Sequence, residues 1–382
     1  MTARRGQIIL VVGLWAAAVG FGPARAAEGK RAGGDRAPQV VADRPRTLYL
    51  ATANRSIWWL TAPPGRGGRV LVVEHGKAFW DEKAGMCSTT WLVKLEAPHV
   101  RTSILGGSAA SLMSAYAYAA DDAVARTEDG CEVQVLPPGK GWVVAIPKDH
   151  YLRMGLAWSP DSTRLLYPRY APTKEHLGIG TVVVATVGAD GRAREEEMMR
   201  DFVDGSITWS SDGRAIYVAN TVSEREFELS EIEYPSAKRR VIQTAPWVNW
   251  AFSVPGSGEL LWFASQDGRF PLHLWRRNPG GPPREANVVL QRTPDRVWYA
   301  PDGKAAVATW QEASETTVID LVSGRERAIT IPEGMQAWAF DGKGLICCDR
   351  KRVMYVPVPG AEVAPRTGLP HSALPKAAPV GP

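Results

Sequence analysis

Trp209-Ser210-Ser211-Asp212-Gly213-Arg214-Ala215-Ile216-Tyr217-Val218 is the stretch whose reading decides the fold. An aromatic residue is followed three positions later by Asp and Gly, and then by an apolar run of strand formers. Asp-Gly closes a tight turn, because Gly tolerates positive φ and the Asp carboxylate bonds back to nearby backbone. Two short apolar runs across such a turn make a β-hairpin.

The arrangement recurs at Tyr118 with Asp121-Asp122, Trp158 with Asp161-Ser162, Tyr299 with Asp302-Gly303 and Trp338 with Asp341-Gly342. A degenerate copy runs from Phe252 to Gly256. Successive aromatics lie 40, 51, 43, 47 and 39 residues apart. A repeat of that length signals one supersecondary unit stacked many times. Further strand-like runs at 180–185 and 316–320 give three or four antiparallel strands per unit, the content of one β-propeller blade. The aromatic is expected between adjacent blades, where a large ring supplies inter-sheet burial.

Upstream, strand-like runs at 48–51, 57–60, 69–73 and 90–93 make a seventh unit, with Pro63-Pro64-Gly65 standing where Asp-Gly stands elsewhere. The last unit has about three strands of its own and ends at 352–357. A closed ring leaves no free edge, so a strand at 47–53 is expected to complete it. The expected fold class is therefore all-β, a β-propeller over 47–358. Seven blades fit best, closed by N- and C-terminal strands sharing one blade, and six stay open if 47–105 is irregular. Long helical patterns are absent, and 195–202 reads as an outer strand or a short helix.

The N-terminus reads as an export signal. Arg4 and Arg5 precede an apolar run from Ile8 to Phe21, and Ala24-Arg25-Ala26 offers small residues for cleavage. That run is short for a spanning helix, so no stable membrane anchor is expected after cleavage. Removal of 1–26 lowers the net charge from +5 to +2, since it takes away Arg4, Arg5 and Arg25 and no acid. The basicity is then no argument for a nucleic-acid partner. Residues 27–46 read as a flexible lead-in and 359–382 as a Pro-rich disordered tail. The expected location is the periplasm or the cell exterior, and the expected state a monomer. Four Cys follow the signal: Cys87, Cys131, Cys347 and Cys348. Sequence leaves their pairing open, including a Cys87–Cys131 bridge. Cys347 and Cys348 are neighbours in a strand, should point to opposite faces, and read as buried free thiols.

Catalytic patterns are mostly missing: there is no Gly-x-Ser-x-Gly elbow, no His-Glu-x-x-His pair and no P-loop or dinucleotide-binding glycine pattern. No cofactor is expected, and no metal-ligand spacing is seen among the six His. The phase of the repeat places a candidate site. If all Asp-Gly turns share one face, the opposite face receives the loops entering each blade and those joining its second and third strands. Loops on a rigid scaffold carry function. The candidates there are His150, Arg169, Tyr170, His176, Asp267, Arg269, Gln311 and Asp349. Together they suit a polar or anionic ligand.

The repeats resemble those of the TolB-like propeller family. The copies at Trp158, Trp209 and Tyr299 carry the match to its aromatic-Ser/Ala-x-Asp-Gly pattern, over about 113–350. The family includes the periplasmic TolB protein, the propellers of prolyl-oligopeptidase-type peptidases and oligogalacturonate-lyase-like enzymes. The chain departs from TolB in having only 27–46 before its propeller, and from the peptidases in lacking a nucleophile elbow. The resemblance thus implies a stand-alone exported propeller, a scaffold binding an envelope protein segment or a saccharide at its channel mouth. The alternative is a polysaccharide-lyase-type enzyme with His150, His176 or His273 as general base or ligand of a divalent metal.

Overall fold

The computed structural model describes residues 45–51, strand segments within 55–145 and most of 150–358. Among these residues, 29 strands form seven antiparallel sheets. Blade 1 spans 55–108, blade 2 spans 115–145, blade 3 spans 151–202, blade 4 spans 205–245, blade 5 spans 247–290 and blade 6 spans 296–329. Blade 7 takes Gln336–Phe340, Gly344–Cys348 and Arg352–Pro357 from the C-terminal part, and Arg46–Leu50 pairs antiparallel with Arg352–Pro357 as its fourth strand. The shared closing blade is thus observed, with its strand starting at Arg46. The run at 195–202 belongs to the outer strand Ala193–Phe202. The signal, residues 27–44 of the lead-in, and the tail lie outside the described residues, as do Cys131, His176, Arg269 and Gln311.

In blades 1, 2, 4, 5 and 6 the strands pair in chain order, and in blade 7 Gln336–Phe340 again ends the sheet, so the aromatic strand lies at one edge. First strands of neighbouring blades approach one another, including Arg55–Thr61 of blade 1 and Gln336–Phe340 of blade 7. Blades 5 and 6 meet through the stacked rings of Phe252 and Tyr299, whose centroids are 5.0 Å apart. The first strands therefore line the inside of a closed ring. Second strands are buried on both faces because each blade is sandwiched: Ala215 to Asn220 are all buried. The outer strands alternate or face solvent, as in Arg239–Ala245.

The repeated motif works between blades. Trp209 is 4% exposed and packs with Leu166, Tyr170 and Met198 of blade 3. Its Nε1 donates to the Ala157 carbonyl of that blade at 3.1 Å. Arg164 lies 4.9 Å above the Trp209 ring and donates from Nη1 to the Gly213 carbonyl at 3.0 Å. Within the turn, the Ser210 hydroxyl donates to Asp212 and accepts from the Ala215 amide, while the Arg214 amide donates to Asp212. Gly213 sits at φ 70°, and Ser162 occupies the equivalent place at φ 60° without the freedom of glycine.

Asp161 performs the same task in blade 3, accepting from the Ser159 hydroxyl at 2.5 Å and from the Thr163 amide at 3.1 Å. Partial burial works against its charge, but the Ser159 and Thr163 donors and Arg164 outweigh this and hold its pKa at about 2. A folded pKa below the unfolded value stabilises above the unfolded pKa and is lost as pH falls through the folded one. Asp161→Asn is therefore expected to lower the urea midpoint near neutrality. The difference should shrink below pH about 4 and vanish near pH about 2. A penalty unchanged across that range would assign the effect to shape rather than charge.

Cys347 and Cys348 are both buried free thiols. Cys347 packs into the core between blades 6 and 7, and burial pushes both pKa values up to about 12. The Cys87–Cys131 pairing involves a residue outside the described set.

Candidate functional site at the channel mouth

In a sheet of four antiparallel strands, the first and third turns share one end and the second turn and the entry loop share the other. The Asp turns take one face. The mouth face collects the entry loops and the loops between second and third strands. At this face in blade 3, His150 precedes the short strand Tyr151–Leu152, which pairs with Tyr170 and Arg169 on Arg164–Ala171. Three sequence-predicted residues are thus brought to one corner.

Strand alternation then sends two of them apart. Tyr170 is 3% exposed, lies over Gly180, and packs 6.1 Å from the Phe202 ring in the core shared with blade 4. Arg169 is held on the opposite side by Glu195 at 2.5 Å and Glu197 at 2.7 Å. Glu195 also accepts from the Tyr167 hydroxyl, and Arg200 grips Glu197. The hydrogen bond from Arg200, with the charges of Arg200 and Arg169, holds Glu197 below the ordinary carboxylate range. The Arg169 fork is therefore engaged by two protein carboxylates.

The remaining described candidates shape loops. Asp267 is exposed and accepts from the Ser265 hydroxyl at 3.0 Å in blade 5. Asp349 accepts from the amides of Lys351 and Arg352, each at 2.6 Å, and from Arg352 Nε at 2.9 Å. Partial burial opposes its charge, but these donors prevail and lower its pKa. His273 lies on the third strand of blade 5 with Nδ1 2.6 Å from Glu285 on the fourth, away from the first strands that line the ring. Among the described residues no group of three or more His, Cys, Asp or Glu is placed to hold a metal ion.

What charge-counting along the loops missed is the apolar character of this face. Leu50, Ile179, Val203, Val222 and Phe270 are between 44% and 54% exposed, and all five stand at mouth-side strand ends or loops. Ile179 and Val203 flank the Gly180–Phe202 pair of blade 3. Asn220 of blade 4 ties this corner down, accepting from the Val203 amide at 2.9 Å and donating to the Asp201 carbonyl at 3.1 Å. Val222 follows two residues later. The series continues into blade 5, where a Cβ at Gly268 would come within 3.1 Å of Pro246, beside Trp247 and near Phe270.

Aromatic rings lie beneath this rim. Trp247 and Trp250 meet edge to face at 4.9 Å on the first strand of blade 5. Trp250 is held at φ 54° in a break of register, with the Asn249 carboxamide oxygen accepting from its amide at 2.7 Å. In the next blade, Arg292 sits 4.3 Å above the Trp310 ring. The sequence signal was there: Val203 and Phe270 are strand-forming residues at loop positions, and Val222 stands at the end of the strand Ala215–Ser223.

No protein-family model matches the chain, and no curated protein matches its sequence. Among solved structures it is similar to the oligogalacturonate lyase of Vibrio parahaemolyticus. The identity is 10% and the TM-score 0.61, covering 84% of this chain and 100% of that one. It is also similar to the β-propeller domain of Cps50 (Swd1) from Myceliophteria thermophila. There the identity is 12% and the TM-score 0.55, over 81% of this chain and 99% of that one. TolB from Acinetobacter baumannii matches with 12% identity and a TM-score of 0.43, over 71% of this chain and 60% of that one. At such identities the common property is architecture, and with seven antiparallel sheets in sequence it identifies the chain as a β-propeller.

Proposed function

We propose that this propeller is an exported binding scaffold whose mouth face docks a polypeptide segment carrying apolar side chains. One observation supports it most: five large apolar side chains stand half-exposed on the mouth face, from blade 3 through blades 4 and 5 and on blade 7. Apolar groups rimmed by polar loops mark protein interaction sites. A saccharide would leave such side chains without a matching surface. Burying the exposed half of each returns about 1 kcal/mol, about 5 kcal/mol in sum, so micromolar binding also draws on the apolar area that the peptide itself buries. The rigid frame is the Asn220 clamp and the bulged Trp250 strand, so little conformational freedom is lost on docking.

The test is a displayed peptide library selected against the purified mature protein. Peptides with apolar side chains at alternating or helical spacing are expected. The double variant Val222→Asp/Phe270→Asp should weaken their binding by at least about tenfold, because a charge is placed in a desolvated contact. Equal binding by the double variant would overturn the assignment to this face. Stoichiometric divalent metal with turnover of acidic oligosaccharides would favour the lyase reading in its place, with His176 as the first residue to substitute.

A further inference from the structure

On the opposite face, between the turns of blades 4 and 5, lies a groove of about 500 Å³. Most of its lining side chains are polar or charged, and carbon atoms make up more than half of the exposed wall. Blade 4 contributes the cross-strand row Tyr217–Glu231–Arg240, together with Asp212 and Lys238. Blade 5 contributes the turns around Gly256 and Gly280, where a Cβ would meet nothing within 4 Å. The size suits one small molecule.

Charge in this groove does not balance. Glu231 Oε2 accepts from Arg240 and, at 3.0 Å, from Nη2 of Arg277 on blade 5. Arg277 is 4% exposed, with Nε donating to the Gly281 carbonyl and Nη1 buried without a hydrogen-bond partner. One carboxylate thus serves two guanidinium groups. Asp212 is matched by the charge of Arg214, and Glu233 and Lys238 close the two ends of a single turn. The lining carries three acids and three bases, so the one positive charge left over is that of Arg277 behind the wall, and Arg240 is 56% exposed to meet a ligand. Burial, reinforced by Glu231, pushes the Tyr217 phenol up to about 12, so it stays a hydrogen-bond donor at any working pH. Serine hydroxyls and carboxylates complete the wall as partners for ligand hydroxyls.

We propose that the groove between blades 4 and 5 is a second binding site, taking a small carboxylate that carries several hydroxyl groups. The carboxylate is held by Arg240 and Tyr217 in the field of buried Arg277, and the hydroxyls by the acidic and serine side chains of the turns. This site is independent of the mouth. An uncharged polyol would leave the excess charge unmet, and an apolar ligand would leave the hydrogen-bonding groups unpaired.

Calorimetric titration of the full mature chain tests this with gluconate as the probe and sorbitol as its uncharged counterpart. Gluconate should bind saturably, and sorbitol at least about tenfold more weakly. Arg240→Gln and Tyr217→Phe, both of which leave the blade core intact, should each weaken gluconate by about five- to tenfold. The mouth variant Val222→Asp/Phe270→Asp should bind gluconate as the wild type does. Absence of saturable gluconate binding up to about 10 mM would overturn the proposal. So would equal affinity for sorbitol, unchanged binding in both groove variants, or loss of binding in the mouth variant.

Discussion

Replacing Trp209 by alanine is expected to lower the unfolding free energy by about 3–5 kcal/mol, measured as the shift in a urea transition. The side chain is 4% exposed and fills the contact between blades 3 and 4, against Leu166, Tyr170 and Tyr234. Its removal leaves a cavity that two rigid sheets cannot close. It also takes away the donor to the Ala157 carbonyl and the ring beneath Arg164. Trp209→Phe keeps most of the burial and loses the hydrogen bond, so a smaller penalty of about 1–2 kcal/mol is expected. A loss below about 1 kcal/mol for the alanine variant would show that the repeated aromatic does not hold the blades together.

Gly205→Ala is expected to cost more than about 3 kcal/mol and to disable the mouth face as well. Gly205 opens the first strand of blade 4 at φ 151°, and an added Cβ would lie 1.8 Å from the Ala219 carbonyl oxygen. Both obstacles are backbone, so no side-chain rotation relieves them. Relief requires the entry loop to move off the second strand. That breaks the pairing of Gly205 with Asn220, the residue that clamps the Val203 corner. Peptide binding at the mouth should therefore fall with stability, whereas Gly213, on the Asp-turn face, lies far from that contact. A Gly205→Ala protein with wild-type stability and peptide binding would contradict the close backbone approach.

The legible part of the candidate site was its location, and the illegible part was its chemistry. Asp-turn spacing sets the phase of the blades, so it places 148–155, 201–206 and 264–272 on one face before any coordinates are known. It does not say which way each side chain points. Arg169 and Tyr170 are adjacent in a strand, so one is sent to Glu195 and Glu197 and the other into the blade 3–4 core. Polar residues in loops were the natural candidates, yet Asp349 and Asp267 accept hydrogen bonds within their own loops. Asn220, inside a strand, was invisible because its two partners come from 17 and 19 residues upstream, at the end of blade 3 and in the connection that follows it.

By itself the sequence determined the repeat, the strand content, the inter-blade place of the aromatics and the closure of the ring by the two chain ends. These follow from local rules: a turn needs Asp-Gly, a strand needs an apolar run, and a ring must have no free edge. Only the tertiary structure decided which polar groups neutralise one another, which apolar residues stay uncovered at the mouth, and where charge is left over between blades 4 and 5. Those outcomes depend on pairs such as Glu231 and Arg277, 46 residues apart. Electrostatic and packing partners across blades are set by geometry in three dimensions, and no local pattern in the chain encodes that geometry.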